Sequence, residues 1–222
     1  MDRFDLPFFE GQWLRRDEFH RLYKMTPDHF RAELIGGVVY FKGRVGFRHA
    51  SYNATITGLL GVYESRTPGI KGGLHASTAL DFLSEVHPDV LLRVKPERGG
   101  QSYDIDDIIG GAPEFVAEVA DESRVIDLGP KLGDYERAGT LEYLVFALDP
   151  DEVFWHVRHE RKLVRIPPDD DGLYRSRAFP GLWLDPDALI ADDGLALIAT
   201  LERGMATPEH AAFVARLADI RT

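Results

Sequence analysis

Two runs in this chain place an acid where a protein core belongs. Phe115-Val-Ala-Glu118-Val119-Ala120 is apolar except for its glutamate, the composition of a strand buried on both faces. Pro88-Asp89-Val90-Leu91-Leu92 opens a second such run with an acid. A carboxylate in either place costs stability unless something compensates it. A divalent metal is one common compensation. Downstream, Asp127 to Tyr135 reads as a helix and carries Lys131. Two carboxylates and a lysine are the minimum equipment for metal-assisted cleavage of a phosphodiester.

The elements around these runs define a mixed α/β chain. Ala32-Glu-Leu-Ile35 and Val38-Val-Tyr-Phe41 flank Gly36-Gly37, a strong hairpin signal. Phe47 to Arg66 carries apolar residues at helical spacing and stops at Thr67-Pro68-Gly69. Thr78 to Leu83 and Asp89 to Val94 read as strands separated by a polar turn at Ser84 to His87, and Lys95 to Pro113 reads as a connection. Arg124 to Ala138 reads as one helix ended by Gly139. Strands follow at Leu141 to Leu148, Val153 to Val157 and Lys162 to Ile166, with Trp183 expected to close the sheet. Thr26-Pro27 reads as a helix start or as a turn after Arg15 to Met25. Thr207-Pro-Glu opens an amphipathic tail helix. With 222 residues, 44% of them hydrophobic, the chain can bury one substantial core. The expected architecture is a mixed central β-sheet flanked by helices. It divides into an N-terminal helical extension (1–26), an α/β domain (27–190) and a C-terminal helical tail (191–222).

Several functions are excluded. With no cysteine there is no thiolate chemistry and no Cys-ligated zinc, which fits a reducing cytoplasm, the location expected here. The N-terminus lacks the pattern of a signal peptide, and no apolar stretch nears the roughly 20 residues that span a bilayer, so no membrane partner is expected. Glycine-rich nucleotide cradles, His-Glu-x-x-His and a nucleophile elbow are absent. A net charge of -11 argues against tight non-specific binding to a polyanion. It leaves a nuclease open, because a bound metal neutralises part of an acidic site.

In a sheet, Asp89 and Glu118 could meet and hold Mg²⁺ through oxygen. Lys131 could then orient a water or stabilise the developing charge. Glu33 on the hairpin could add a carboxylate to the metal shell. His49, opening the following helix, could contact a phosphate or move a proton. Each has a plainer reading. Asp89 could cap a strand, and Glu118 could pair with an arginine. Lys131 could pair with Asp127 on a helix surface, Glu33 could face solvent, and His49 could be an ordinary first-turn residue.

The ordered set Glu33-Leu-Ile-Gly-Gly-Val-Val-Tyr40, Arg48-His49, Pro88-Asp89-Val90, Gly111-Ala-Pro-Glu-Phe-Val-Ala-Glu118-Val119, Asp127, Lys131, Tyr135, Ala138-Gly139 and Glu142-Tyr143 resembles the Uma-type putative restriction endonuclease family of the PD-(D/E)xK nuclease superfamily. The resemblance spans about Glu33 to Pro150. It implies a restriction-endonuclease-like core with an N-terminal hairpin and a C-terminal extension. It also implies a Mg²⁺-dependent site (Mn²⁺ as the alternative ion), DNA as partner, and a homodimer. Asp89 and Glu118 look like the metal-binding acids, Lys131 like the catalytic lysine, Glu33 like the early motif acid and His49 like an auxiliary residue. The chain departs from the pattern in places. Ala120 stands where the superfamily has its lysine, which moves to Lys131. Gly36 replaces an aspartate of the hairpin turn, Ala120-Asp121 a serine, and Leu144 an aromatic. An RNA or other phosphoester nuclease, or a nuclease fold kept as a non-catalytic binding module, are the competing readings. Apolar residues of the tail such as Phe213, Val214 and Leu217 could pair two copies or pack on their own domain.

Overall fold

Gly36 and Gly37 turn the first hairpin with φ of 58° and 84°, values that cost a residue with a Cβ and suit a two-residue turn. The turn sets Ile35 opposite Val38 between β1 (Ala32–Ile35) and β2 (Val38–Phe41). The structure, a computed structural model, describes residues 6–220. Ahead of the hairpin runs α1 (Arg16–Tyr23), and after it α2 (Phe47–Arg66). Seven short strands follow: β3 (Ile70–Leu74), β4 (Thr78–Ala79), β5 (Glu85–Val86), β6 (Val90–Val94), β7 (Tyr103–Ile105), β8 (Ile108–Gly110) and β9 (Phe115–Ala120). Then come α3 (Arg124–Asp127), α4 (Pro130–Ala138), β10 (Glu142–Ala147), β11 (Glu152–His159), β12 (Lys162–Ile166), β13 (Tyr174–Arg175) and β14 (Trp183–Leu184). Three helices end the chain, α5 (Pro186–Ile190), α6 (Gly194–Met205) and α7 (Pro208–Asp219).

The strands form two mixed six-stranded sheets, in the orders β2-β1-β5-β4-β8-β7 and β12-β11-β10-β9-β6-β3, with β13–β14 as a separate ribbon. This corrects the single central sheet expected from sequence. The Thr78 to Leu83 run is a strand only at Thr78–Ala79, because the Asp81 carboxylate accepts the Leu83 N–H at 2.7 Å and bends the chain. The expected turn at Ser84 to His87 contains β5, and the 95–113 connection contains the β7–β8 hairpin. The helix expected over Arg124 to Ala138 breaks at Gly129-Pro130. Trp183 pairs with Arg175 in the ribbon instead of closing a sheet. Thr26 and Pro27 form the turn after α1, not a helix start.

Strand β9 divides the core. Its Phe115, Ala117 and Val119 face a large cluster with α2, α6 and α7, while Val116 and Ala120 face a second cluster that includes Ile35, Tyr135 and Tyr143. Alternation puts Glu118 on the second face, toward α4 and the hairpin. Phe213 and Leu217 of α7 belong to the first cluster, which removes them as dimer contacts. Among the described residues, no helix is long and apolar enough to cross a membrane.

Helix α6 packs closely on the ribbon. A Cβ at Gly204 would lie 2.3 Å from the Gly181 carbonyl and 2.7 Å from Trp183 Cγ. Gly204→Ala should therefore lower stability by about 1–3 kcal/mol, the usual cost of overpacking. Gly58→Ala, on the exposed side of α2 with no neighbour within 4 Å, should raise stability by about 1 kcal/mol through helix propensity. Urea midpoints at constant m-value would check both.

Candidate active site

Asp89 and Glu118 meet because of strand register. Val90 pairs with Ala117 across the antiparallel β6–β9 ladder, so the next step outward sets Asp89 against Glu118. The Asp89 N–H donates to Glu118 Oε2 at 3.3 Å, and the Val119 N–H donates to Asp89 Oδ2 at 2.9 Å. Both carboxylates are buried.

Lys131 projects from the first turn of α4 into the seam between the sheets. Its Nζ lies 2.8 Å from Glu118 Oε1, 3.1 Å from Glu33 Oε1 and 3.7 Å from Asp127 Oδ1. Only 1% of the residue is exposed, so neither the helix-surface pair with Asp127 nor an arginine partner for Glu118 describes it. Tyr135, one turn further along α4, donates its hydroxyl to Glu118 Oε1 at 3.3 Å. Glu33 is buried on β1. It also accepts the His87 N–H at 2.6 Å and lies 3.5 Å from Lys42 Nζ. His49 reaches in from the first turn of α2, its Nε2 3.4 Å from Asp89 Oδ2. The structure thus brings together Glu33, His49, Asp89, Glu118 and Lys131.

Three residues of the cluster, His75, His87 and Lys42, were not singled out by the sequence, and Tyr135 entered there only within the family pattern. His75 sits at the end of β3 with φ of 49°, its Nδ1 3.6 Å from Asp89 Oδ1. His87 gives its backbone N–H to Glu33, and Lys42 and Tyr135 add the contacts above. The order of the sequence gave no sign of His75, because a Gly-Gly strand and a left-handed residue bring it back to Asp89. Tyr135 had a signal, standing four residues after Lys131 on the same helix face.

Charge is unevenly held. Burial disfavours an ammonium at Lys131, but Glu118, Glu33 and Asp127 outweigh it and hold its pKa well above the usual value. Burial also opposes ionisation of Glu33, yet Lys131, Lys42 and His87 bring its pKa down to about 2. At Glu118 burial prevails over Lys131, and with Asp89 and Asp127 beside it the pKa rises to about 8. Burial likewise raises Asp127. Asp89 is lowered, burial being overcome by His49, Lys42 and Lys131. His75 is lowered, first by burial and then by Lys42, His49 and Arg31 against the pull of Asp89.

Four carboxylates therefore share two ammonium groups, Lys131 and Lys42. Among the described residues, no three Asp, Glu or His side chains converge into a ready metal cage. Mg²⁺ needs none, since it keeps several waters and takes one or two carboxylates. The all-oxygen donor set of Asp89 and Glu118 fits such a hard ion better than zinc, which favours nitrogen and sulfur ligands.

Fold and cluster together define a two-sheet α/β protein with a buried lysine–carboxylate centre. The family model described as "Uma2: Putative restriction endonuclease" matches residues 16–187, and the chain belongs to this family. Among solved structures, a crystal structure of a putative nuclease belonging to DUF820 from Anabaena variabilis matches with a TM-score of 0.61. It is 16% identical, over 80% of this chain and 98% of that one, a likeness of fold. No curated protein matches.

Two stability predictions follow from the charges. Lys131→Met would leave Glu33, Glu118 and Asp127 buried without their ammonium and should cost about 3–5 kcal/mol, measured by chemical denaturation at pH 7. Glu118 has a folded pKa near 8 against an ordinary 4.5. Its neutral form stabilises the fold, so that contribution is whole below pH 4.5 and is lost as pH rises through 8. In chelator, the Tm of the wild type should fall across this window relative to Glu118→Gln, by about 2–4 °C for each kcal/mol lost. Glu142, raised by burial to about 7, titrates in both proteins and cancels in the difference. Parallel Tm–pH curves would refute the assignment.

Proposed function

We propose that the protein is a Mg²⁺-dependent phosphodiesterase acting on DNA as an endonuclease. The observation that carries this reading is the buried Lys131 ammonium 2.8 Å from Glu118, on the strand whose register meets Asp89. Family membership supports it.

Asp89 and Glu118 would hold the ion, which supplies Lewis acidity at the phosphate and a bound water of lowered pKa. Asp89 Oδ2 is already held by the Val119 N–H and faces His49, which leaves Oδ1 toward His75 and the mouth of the site. Tyr135 and Lys131 fix Glu118 from the opposite side. Lys131, kept charged by three carboxylates, serves as a fixed cation for charge developing on the phosphate, not as a base. Glu33, its oxygens shared among Lys131, Lys42 and the His87 N–H, is assigned to holding Lys131 and not to the metal shell. His49 orients Asp89.

The test is cleavage of supercoiled plasmid, labelled duplex and matched RNA with Mg²⁺ or Mn²⁺. Wild type should nick DNA, and Asp89→Asn and Glu118→Gln should each lose about 10²-fold or more. No cleavage above these variants with either ion would refute the enzyme, and retained DNA binding would then favour the non-catalytic module. Faster cleavage of RNA would replace the substrate.

A further inference from the structure

We infer that Asp134 is a positioning residue, which sets the Lys131 ammonium in the site by locking α4 to the β1–β2 hairpin. The inference rests on the proposed role of Lys131.

Helix α4 is only nine residues long, begins at Gly129-Pro130 and has no side-chain N-cap hydrogen bond. A helix this short has little stability of its own, so its docking contacts determine where Lys131 lies. On the side away from the site, Glu136 accepts the Leu163 N–H at 2.9 Å and pairs with Lys162, which ties α4 to β12. On Lys131's own side Tyr135 bonds Glu118 within the site, and Asp134 supplies the contact to the hairpin. It stands three residues after Lys131, so the two side chains share a helix face. Asp134 is 1% exposed. Its Oδ2 accepts the Gly36 N–H at 2.7 Å and the Ser84 hydroxyl at 2.5 Å, and Oδ1 pairs with Arg137.

Gly36 lies three residues after Glu33, in the hairpin turn. Helix and hairpin are therefore fastened twice, once through Lys131 and Glu33 and once through Asp134 and Gly36. Ser84 brings the chain leading into β5 and His87 to the same carboxylate. Glycine suits residue 36 for its backbone, with φ of 58°, while a Cβ there would meet Asp134 Oδ1 only at an ordinary contact distance of 3.6 Å. Removing the Lys131–Glu33 contact would remove the function itself. Removing the second fastening leaves every proposed reacting group present and frees only the placement of Lys131. A shift of about 1 Å at a reacting group can cost roughly 10²-fold in rate.

The experiment compares Asp134→Ala, Asp134→Asn and Glu136→Ala in the full chain. Expected for Asp134→Ala is a kcat about 10- to 100-fold lower, with KM and the Mn²⁺ dissociation constant within about twofold of wild type. Asp134→Asn should recover most of the rate, since its amide oxygen still accepts the Gly36 N–H. Glu136→Ala should lower Tm without lowering kcat. In parallel, the solvent-protected ¹⁵N–¹H signal of the Lys131 ammonium should be present in wild type and Asp134→Asn and lost in Asp134→Ala. A protected signal and an unchanged kcat in Asp134→Ala would overturn the inference, as would an equal loss of kcat in Glu136→Ala. If wild type cleaves nothing, the phosphodiesterase reading fails, and the ammonium signal alone then decides the role of Asp134.

Discussion

One ammonium group holds the two sheets together at the site. Glu33 belongs to the first sheet and Glu118 to the second, and both are buried. Facing each other alone, two desolvated carboxylates would repel and ionise with difficulty. Lys131 enters between them and lies within 3.1 Å of one and 2.8 Å of the other. The desolvation of each ion costs several kcal/mol, so this arrangement is not an economical way to build a core. Apolar residues of similar volume would close the seam at no such cost. Its persistence in an otherwise apolar cluster of Ile35, Val116, Tyr135 and Tyr143 is the physical reason for reading it as a functional group.

The carboxylates around that ammonium divide into two kinds. Glu33 is held firmly anionic by Lys131, Lys42 and a backbone N–H, whereas Glu118 is the acid that burial keeps nearest to protonation. A divalent cation beside Asp89 and Glu118 would reverse the balance at Glu118 while leaving Glu33 as it is. Glu118 is thus the acid that the internal lysine and the proposed ion would share, while Glu33 belongs to the lysines alone. Asp89 marks the boundary between lysine and ion, with one oxygen facing His49 and the other His75, the imidazole at the exposed lip.

Much of this was legible in the sequence where local patterns decide the outcome. The Gly36-Gly37 hairpin, the helix from Phe47 to Arg66 and the strand carrying Glu118 stand where their patterns place them. The family resemblance named the five residues that converge. What escaped depends on contacts far apart in sequence. Strand β3 had no reading from the sequence, since Gly72 and Gly73 carry no strand pattern, yet glycine suits position 72, where a Cβ would lie 2.7 Å from the Glu64 carboxylate that accepts its N–H. The run from Thr78 looks apolar enough for a strand, but the bend at Asp81 ends it after two residues, and the chain next changes sheet between β5 and β6. Glu33 could have faced solvent on a hairpin, and only the second sheet packed over it makes it interior.

The acidic total charge of -11 then bears on the substrate in a different way from the one the composition suggests. Long-range attraction for a polyanion is weak or repulsive in such a chain. On the proposed reading, recognition has to come from short-range groups, and those beside Asp89 and Glu33 are His75, half-exposed, Lys42, about a third exposed, and Arg31, close enough to act on His75. Below them lie carboxylates that repel a phosphate until a cation occupies their edge. An ion held there, as proposed, would cancel the floor's excess negative charge and leave the basic groups of the lip to attract the phosphate. Metal binding and substrate binding are in that case coupled electrostatically, so affinity for a phosphodiester rises with the occupancy of the Asp89–Glu118 edge rather than with the number of basic residues on the surface.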